Sequence, residues 1–322
     1  MKVLSVGMIV CDIVLSPIPK NIFNIDSIQI ETPLITLGGD ALNVSVGLSK
    51  LGIESKILGK IGKDINGDFV KKSLINVGVD TSSIIEDKDY NTAVSYVLVD
   101  EDKERHFLTN NKIFEALRYE DIDINVVSEQ DIVYFGSLMS MRNMDMEGIL
   151  KLFKEAHKYN CITAMDAAIS YEVSNNFMLE KEEIFYETDI FIPSYDEAIF
   201  LTKERDIDKI KKQFQKYGIK VFGIKLGKKG CYITDFREEY YIDTYNFIEV
   251  KDTTGAGDSF ISGFLRGYLE GWDILRCGIF ANTVASLNVS KRGASCGIPS
   301  FDEAKDFMNK NETKLHFIKN KF

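Results

Sequence analysis

The sequence predicts an α/β fold: a doubly wound, mostly parallel sheet with a small β-flap beside it. Short apolar runs, typical of buried strands, alternate with amphipathic segments of helical spacing, which is the pattern of a parallel sheet with helices on both faces. Two other segments, 32–38 and 92–109, are typical of antiparallel β-structure, and the second has a polar turn between two alternating runs, as a hairpin does. The chain of 322 residues is 45% hydrophobic, enough to bury a sizeable core.

Periodicity and caps predict the elements of the first half. The run VLSVGMIV, 3–10, predicts the first strand, because it is apolar and bounded by turn signals. The segment 39–52 has apolar residues at helical spacing and Gly52 where a helix C-cap is expected. A strand at 54–62 and a helix at 64–78 follow, with Asp64 as a candidate N-cap.

The second half continues the alternation. Buried strands are predicted at 131–138, 161–168, 189–194 and 221–227, and the helices between them at 146–160, 196–203 and 206–218. A further strand, FIEV, ends at Val250, and helical spacing resumes from Asp258. We expect one domain over 1–312, with β-flap segments near 12–37 and 90–110, and a solvated terminal helix or tail at 313–322.

The composition restricts partners and location. A formal net charge of -10 makes the chain a poor non-specific partner for nucleic acid, whose phosphates would repel it. We see neither a secretory signal nor an apolar run long enough to span a membrane, and expect no membrane partner. The five cysteines are scattered without CxxC spacing, which favours reduced thiols, a cytoplasmic location and the absence of a zinc site.

The stretch DTTGAGDSF, 252–260, places a glycine-rich turn and an aspartate between the predicted strand and helix. Free amides and the dipole at a helix N-terminus favour an anion, and glycine lets a phosphate approach closely. Asp258, on the first turn, could accept a proton from a substrate hydroxyl while the amides of the turn stabilise a transferring phosphoryl group. From this turn alone, an ordinary strand–turn–helix with an N-terminal aspartate is an equal alternative.

A second polar constellation lies near the N-terminus. Gly38 and Gly39 precede the first predicted helix, where they permit close backbone approach to a polar ligand. Asn43 can donate and accept hydrogen bonds toward hydroxyls, and Asp12 follows the first strand as a candidate bidentate acceptor. Taken singly, these residues are equally explained as turn glycines, a capping asparagine and a loop aspartate.

Together, GGDALNVSVGLSKLG and DTTGAGDSFISGF closely resemble the two signatures of the ribokinase-like (PfkB) carbohydrate kinase family. The pieces between and after them match in order: IGKDINGDF, ERHF, IPSYDEA, KLGKKGC and ANTVASLNVSKRGA. The resemblance implies a ribokinase-like kinase domain that phosphorylates an alcohol, usually on a sugar, with ATP and Mg²⁺. It also implies a flap that covers the sugar and often forms a dimer interface, so we expect a homodimer. Arg105, on the flap, is either a contact to substrate or partner or a solvated charge.

The resemblance implies a role for each matching position. Asp258 is the base, and the anion hole comprises Gly255, Ala256 and Gly257. The sugar side comprises Asp12, Gly38, Gly39, Asp40 and Asn43. The ATP side comprises Ser194, Glu197, Lys225, Gly227, Gly230 and Asn282, with Ser194 where the family has asparagine. A monovalent cation, K⁺, could bind at Asp252, Thr254, Asn288 and Gly293.

Charge narrows the choice of acceptor. Several relatives that act on sugar phosphates place lysine after the paired glycines, whereas this chain has Asp40, which disfavours an anionic substrate. Relatives that act on keto-deoxy acids carry Asp-x-Asn-x-Arg, whereas the stretch from Asp166 lacks the arginine. The sequence therefore favours a neutral free sugar as the acceptor, as in ribokinases and fructokinases.

Three alternatives stay open: a nucleoside kinase, a keto-deoxy-sugar-acid kinase and a non-catalytic sugar-sensing protein. A dinucleotide-dependent dehydrogenase is disfavoured, because no GxGxxG follows the first strand.

Overall fold

The computed structural model describes residues 1–102, 104–169 and 177–320. In chain order, the strands are β1 Lys2–Val6, β2 Val10–Ile18, β3 Leu34–Gly38, β4 Glu54–Gly62, β5 Asp80–Asp87, β6 Ala93–Asp100, β7 Arg105–Asn110, β8 Ile132–Leu138, β9 Ile162–Ala167, β10 Ile190–Phe191, β11 Val221–Lys225, β12 Cys231–Thr234, β13 Glu239–Ile242 and β14 Phe317–Asn320. The α-helices are α1 Asp40–Lys50, α2 Ile65–Asn76, α3 Ile149–Lys158, α4 Phe177–Glu180, α5 Glu183–Tyr186, α6 Tyr195–Thr202, α7 Ile207–Gln215, α8 Ala256–Leu269, α9 Ile274–Asn288 and α10 Phe301–Lys310.

A ten-stranded sheet forms the centre of the molecule, in the order β14-β13-β12-β11-β10-β9-β8-β1-β4-β5. From β5 to β11 the neighbouring strands are parallel, whereas β11 to β14 pair antiparallel. Parallel strands with helices on both faces are buried on both sides, and β8 is buried along its whole length. The predicted doubly wound, mostly parallel α/β fold is confirmed.

The predicted β-flap is a second, four-stranded sheet in the order β3-β2-β6-β7, called the lid below. On β2, Asp12 lies opposite Thr36 of β3, and the next residue, Ile13, lies opposite Ile35. Because successive side chains point to opposite faces of a strand, the lid has a face that carries Asp12 and an opposite face that carries Ile13.

Helix α1 packs against α8 and thereby brings the two signature stretches together. The side of α1 that meets α8 carries Gly47, where a Cβ atom would collide with the Ser262 side chain of α8. Glycine therefore allows the two helices to approach closely. As a result, Asn43 near the start of α1 and Asp258 near the start of α8 lie on the same side of the molecule.

Two strand predictions are wrong in detail. The run 3–10 is not one strand, because β1 ends at Val6 in the central sheet and β2 begins at Val10 in the lid. The strand FIEV is absent too, since residues 243–250 form a turn and irregular chain. The aromatic rings of this segment, Tyr245 and Phe247, pack instead against Phe307 of α10. The segment is apolar because it packs onto a helix, and not because it forms a buried strand.

The C-terminal prediction of a solvated helix or tail is also wrong. Strand β14 pairs antiparallel with β13 and covers what would otherwise be an open edge of the central sheet. Phe317 contacts the ring of Tyr240 edge-on, with centroids 6.3 Å apart. The two aromatic residues are far apart in the sequence, so the local pattern around Phe317 could not predict that this segment forms a strand.

None of the helices in the described ranges is long and apolar enough to cross a membrane. The cysteines are free, and all but Cys296 are buried. Burial raises the pKa of Cys11 to about 11 and that of Cys277 to about 12, so these thiols stay protonated and unreactive at neutral pH.

Candidate active site

The glycine-rich turn opens helix α8, as predicted. Gly255 is the N-cap and has a φ of +67°, a left-handed conformation that favours glycine. A Cβ atom on Gly255 would also collide with the carbonyl of Ala294. Ala256 and Gly257 form the first residues of α8, where backbone N–H groups have no intrahelical acceptor. The Ala256 amide donates to the carbonyl of Thr253, just before the helix, at 3.2 Å. This turn is a cradle for an anion.

Asp258 lies in the first turn of α8, next to this cradle. The side-chain amide of Asn43 donates a hydrogen bond of 2.8 Å to its carboxylate. Burial, and next the negative charge of Asp40, raise the pKa of Asp258 to about 7, although the Asn43 bond and the Lys225 cation oppose this. A carboxylate with a pKa near neutrality is suited to accept a proton.

Asp40 is the first residue of α1, and its carboxylate lies at the end of β8. One oxygen, Oδ1, accepts hydrogen bonds from the Ser137 hydroxyl and from the amide of Ala41, while Ser137 in turn accepts from the amide of Met8 at 2.8 Å. The other oxygen, Oδ2, is buried and has no hydrogen-bond partner among the described residues. Burial raises the pKa of Asp40 to about 6. Asp40 is one of the predicted sugar-side residues.

A cavity of about 380 Å³ lies between the lid and the glycine-rich turn, and it is called the lid cavity below. Asp12 and Arg105 contribute from the lid, and Asp252, Thr254 and Gly293 contribute from the turn and the loop beside it. Burial raises the pKa of Asp12 to about 6, although the charge of Arg105 opposes the rise. The lid cavity thus has a carboxylate on each wall and a guanidinium on the lid.

Gly38 and Gly39 shape the wall of this region. A Cβ atom on Gly38 would collide with the Asp12 carboxylate, and one on Gly39, which has a φ of +93°, would collide with the carbonyl of Met8. Both positions therefore require glycine for close approach. The structure brings the predicted sugar-side residues together, since Asn43 and Asp40 follow directly on α1.

A second cavity, of about 450 Å³, lies on the other side of the turn and is called the helix cavity below. Among its lining residues are the following predicted ATP-side and anion-hole positions: Lys225, Gly227, Gly230, Ala256, Gly257 and Asn282. Asn282 donates to the carbonyls of Ile242 and Asp243 at 3.2 and 3.1 Å. The glycine-rich turn therefore separates two cavities, one on each side of the cradle.

Lys225 ends β11 and lies beside Gly257, where a Cβ atom would be 3.4 Å from its ammonium nitrogen. It forms an ion pair with Asp166 at the end of β9. Burial lowers its pKa, but the carboxylates of Asp166 and Glu197 outweigh burial and keep it raised, so Lys225 is a cation. Asp166 was not predicted as a site residue; the available signal was a polar residue at the carboxyl end of a parallel strand.

Ser194 and Glu197 form a capping box at the start of α6. The amide of Ser194 donates to the Glu197 carboxylate at 2.6 Å, and the amide of Glu197 donates to the Ser194 hydroxyl at 3.4 Å. Ser194 also forms a β-bridge with Lys225, which places the pair beside the lysine. Ser194 thus fills a structural role that asparagine could fill as well.

The four residues predicted for a monovalent cation lie close together. The Asp252 and Asn288 side chains bind nearby backbone, whereas the Thr254 hydroxyl is buried and has no hydrogen-bond partner among the described residues. The Asp252 carboxylate accepts from the amides of Thr254 and Gly293, at 2.7 and 2.9 Å. The Asn288 amide donates to the carbonyl of Ala294 at 2.7 Å and accepts from the amide of Gly297 at 2.9 Å.

An anion cradle between two cavities, with a carboxylate of near-neutral pKa on one side and a lysine on the other, can transfer a phosphoryl group to a hydroxyl. The fold and the site define a kinase. The comparisons with known proteins agree with this class. A family model described as pfkB family carbohydrate kinase matches residues 1–300.

Individual relatives extend the similarity over most of the chain. A putative sugar kinase of Pyrococcus horikoshii is 31% identical over 268 residues, covering 80% of this chain and 82% of the relative. A 5-dehydro-2-deoxygluconokinase of Clostridium beijerinckii is 27% identical over 318 residues, covering 92% of this chain and 93% of the relative. A solved structure of a putative ribokinase II from E. coli with ATP and Mg²⁺ has a TM-score of 0.83 and 23% identity, covering 96% of this chain and 99% of that chain.

The chain belongs to the pfkB family of carbohydrate kinases. Its activity is accordingly the ATP-dependent phosphorylation of a sugar hydroxyl. The predictions of family, fold class and enzyme class are confirmed.

Proposed function

We propose that the acceptor is a neutral, unphosphorylated sugar bound between the lid and Asp258. The observation that carries this proposal is the carboxylate of Asp40, whose Oδ2 is buried without a hydrogen-bond partner among the described residues. A hydroxyl of the acceptor can donate to such an oxygen, whereas a phosphate or carboxylate beside it would be repelled. Asp12 and Asp258 add two further carboxylates whose pKa values are raised by burial, and both favour a donor-rich, uncharged ligand.

In this proposal Asp258 accepts the proton of the reacting hydroxyl. Asn43 holds the carboxylate in place through the 2.8 Å hydrogen bond. The amides of Gly255, Ala256 and Gly257 would stabilise the negative charge on the transferring group at the helix N-terminus. The Ala256 amide would exchange its 3.2 Å bond to the Thr253 carbonyl for one to that group. Gly38 and Gly39 allow the sugar to approach the backbone of β3 and α1. The base then lies beside both the reacting hydroxyl and the cradle.

ATP would occupy the helix cavity. Lys225, Gly227 and Gly230 would run along the phosphates, and Asn282 would lie near the adenine. The proximity of Asp166, Glu197 and Lys225 fits a Mg²⁺–phosphate group, since carboxylate oxygens and their waters are the ligands that Mg²⁺ prefers. Bound Mg²⁺–ATP supplies the phosphoryl group and neutralises its charge. Ser194 contributes by capping α6 and holding Glu197.

A keto-deoxy sugar acid is the second candidate acceptor. Three basic side chains, of Arg105, Lys251 and Arg292, line the lid cavity, and an acidic substituent could reach them while the rest of the sugar faces Asp40. The relative from Clostridium beijerinckii is named for such an activity. Arg105 is already paired with Asp252, which leaves less positive charge for a ligand and favours the neutral sugar.

The test is an ADP-release screen with Mg²⁺–ATP. Pentoses, hexoses, polyols, nucleosides, sugar phosphates and keto-deoxy sugar acids are compared at equal concentration. We expect the highest kcat/KM with a neutral free sugar. Turnover confined to sugar phosphates would contradict the argument from Asp40, and the highest value with a sugar acid would establish the second candidate. ATP binding without turnover on any acceptor would favour a sensor.

We further propose that the protein is a homodimer that buries the outer face of the lid. Ile35, Tyr96 and Leu108 lie in one row across the lid, since Ile13 of β2 is opposite both Ile35 and Tyr96, and Tyr96 is opposite Leu108. Ile35, Tyr96 and Leu108 are 50%, 44% and 56% exposed. An apolar row of this kind on a sheet is usually covered by another molecule or segment.

Replacing Leu108 by Glu should shift the mass measured by light scattering from dimer to monomer. Ile65→Glu, at an 82% exposed site on α2, is the matched control that should leave the mass unchanged.

A cytoplasmic location is part of the proposal. Its support is the free state of the cysteines, which is usual in a reducing compartment. Titration with a thiol reagent after denaturation should find all cysteines reduced in protein isolated under alkylating conditions.

A further inference from the structure

Arg105, at the start of the lid strand β7, reaches across the lid cavity to the loop that leads into the anion cradle. Its guanidinium forms an ion pair with the Oδ1 atom of Asp252. The Asp252 side chain is only 9% exposed, so this is a largely buried contact between the lid and the core. Such a pair is geometrically specific, because the guanidinium is planar and permanently charged.

Asp252 holds the cradle through both of its oxygens. Oδ1 accepts the amide of Thr254, and Oδ2 accepts the amide of Gly293. Burial alone would raise the pKa of Asp252, but the amides of Gly293 and Thr254 and the Arg105 guanidinium together lower it. The carboxylate is therefore ionised at neutral pH, and its negative charge is compensated by Arg105.

The residues predicted to bind a monovalent cation do not fit one in this arrangement. Each Asp252 oxygen accepts a backbone amide, Oδ1 also pairs with Arg105, and the Asn288 amide is bonded at both ends to Ala294 and Gly297. Of the predicted side chains, this leaves only the neutral Thr254 hydroxyl, which is buried without a hydrogen-bond partner among the described residues. A second cation beside Asp252 would also be repelled by the guanidinium. The family resemblance implies an alkali ion here, and the side chains present provide an arginine instead.

We propose that Arg105 takes the place of the monovalent cation, so that a charge carried by the lid positions the anion cradle. The loop from Asp252 leads through Thr254 and Gly255 directly into α8. Fixing Asp252 therefore fixes the direction of the amides that follow it. Arg105 is a positioning residue, because it acts on the transferring group through Asp252. The kinase then needs no K⁺. Its cradle is held in place only when the lid lies close enough for Arg105 to pair with Asp252.

The experiment measures turnover and melting temperature in KCl and in tetramethylammonium chloride at equal ionic strength. Turnover is ADP release with the acceptor identified in the screen. We expect the unchanged protein to be indifferent to the salt. Arg105→Met should lower kcat by roughly 10–100-fold, the effect of a small misplacement of catalytic groups, while KM for ATP changes little. KCl, but not tetramethylammonium chloride, should restore part of the loss.

The melting temperature can be measured without an acceptor. It therefore tests the role of Arg105 even if the proposal of a neutral sugar as the acceptor is wrong. Binding of K⁺ to the folded state stabilises it, so KCl should raise the melting temperature of Arg105→Met but not that of the unchanged protein. Arg105→Lys keeps the positive charge and should therefore retain most of the kcat of the unchanged protein in either salt. This variant provides the test if Arg105→Met does not fold.

Lys20→Met is the matched control, since Lys20 pairs with Asp102 on the exposed side of the lid and does not reach Asp252. It should leave kcat and salt response unchanged. The proposal is overturned if K⁺ strongly stimulates the unchanged protein, or if Arg105→Met keeps full kcat. Equal losses in Arg105→Met and Lys20→Met would overturn it too, because the effect would then be one of lid charge in general.

Discussion

The side-chain amide of Asn43 donates a 2.8 Å hydrogen bond to the carboxylate of Asp258, although 215 residues separate the two in sequence. Close packing of α1 on α8 at Gly47 makes this bond possible. The bond ties the first signature stretch to the second. It orients the proposed base without neutralising it, because an amide donor carries no charge.

Replacing Asp258 by Asn should abolish most of the activity without unfolding the protein. Removal of a general base typically lowers turnover by about 10²–10⁴-fold, and we expect this in kcat, with acceptor binding retained. Because burial raises the pKa of Asp258 to about 7, ionisation of this carboxyl costs the folded state free energy, and the protein loses stability as pH rises toward that value. Asparagine does not ionise and avoids this loss. The variant should therefore melt at a higher temperature above pH 7.

Asp68→Asn is the matched control for this variant, since Asp68 lies exposed in the first turn of α2. It should change neither kcat nor melting temperature. Near-normal turnover of Asp258→Asn would refute the assignment of the base.

The sequence alone predicted the alternating sheet and the two glycine-rich signatures, because both are local patterns. The position of Asp258 on the first turn of α8 follows from the spacing of glycine and apolar residues. The ion pair of Arg105 with Asp252 could not be predicted, since nothing in the spacing of the two residues indicates that they meet.

The same limit explains the errors in the fold. The step from β1 to β2 changes sheets within three residues that are as apolar as the strands around them. The pairing of β14 with β13 depends on an edge created by other parts of the chain. Asp166 is a further example. Its place in the site depends on the ion pair with Lys225, a residue far away in the sequence.

The activity should depend on pH with an acidic limb near neutrality. Asp258 must be ionised to accept a proton, and burial together with Asp40 raises its pKa to about 7. Below that value kcat/KM should fall by about tenfold per pH unit, as expected for one essential base. The measurement is kcat/KM for the acceptor across the pH range in which the protein stays folded.

Asp40→Asn identifies the cause of that limb. The negative charge of Asp40 contributes to the raised pKa of Asp258, so its removal should move the acidic limb to lower pH. The position of the limb, rather than the size of kcat, is the relevant readout, because Asp40 is also part of the proposed acceptor site. A limb that stays in place would show that burial alone sets the pKa of the base.

Gly255→Ala should destabilise the protein more than Gly52→Ala. Both glycines have positive φ, +67° and +79°, but a Cβ atom on Gly255 would collide with the Ala294 backbone, whereas nothing lies within 4 Å of one on Gly52. The left-handed conformation costs a non-glycine residue about 1–2 kcal/mol, and overpacking adds about 1–3 kcal/mol at Gly255. Free energies of unfolding in urea give the comparison, and equal losses would contradict a tightly packed cradle.

Lys225→Met should reduce both ATP binding and stability, for separable reasons. Asp166 and Lys225 have side chains that are 4% and 13% exposed, and removal of one partner of a buried pair typically costs about 3–5 kcal/mol. The unpaired Asp166 carboxyl, whose pKa burial already raises, would then remain protonated to higher pH, so the loss of stability should grow as pH rises. Urea unfolding at several pH values measures this.

The double variant Lys225→Met, Asp166→Asn distinguishes the structural effect from the effect on ATP. Asparagine has no charge to leave unpaired, so stability should return toward that of the unchanged protein. Binding of ATP, measured by calorimetry, should stay weak, because the cation beside the Gly257 cradle is still absent. If ATP affinity recovered along with stability, Lys225 would be a structural residue that holds Asp166, and its place beside the phosphates would have to be abandoned.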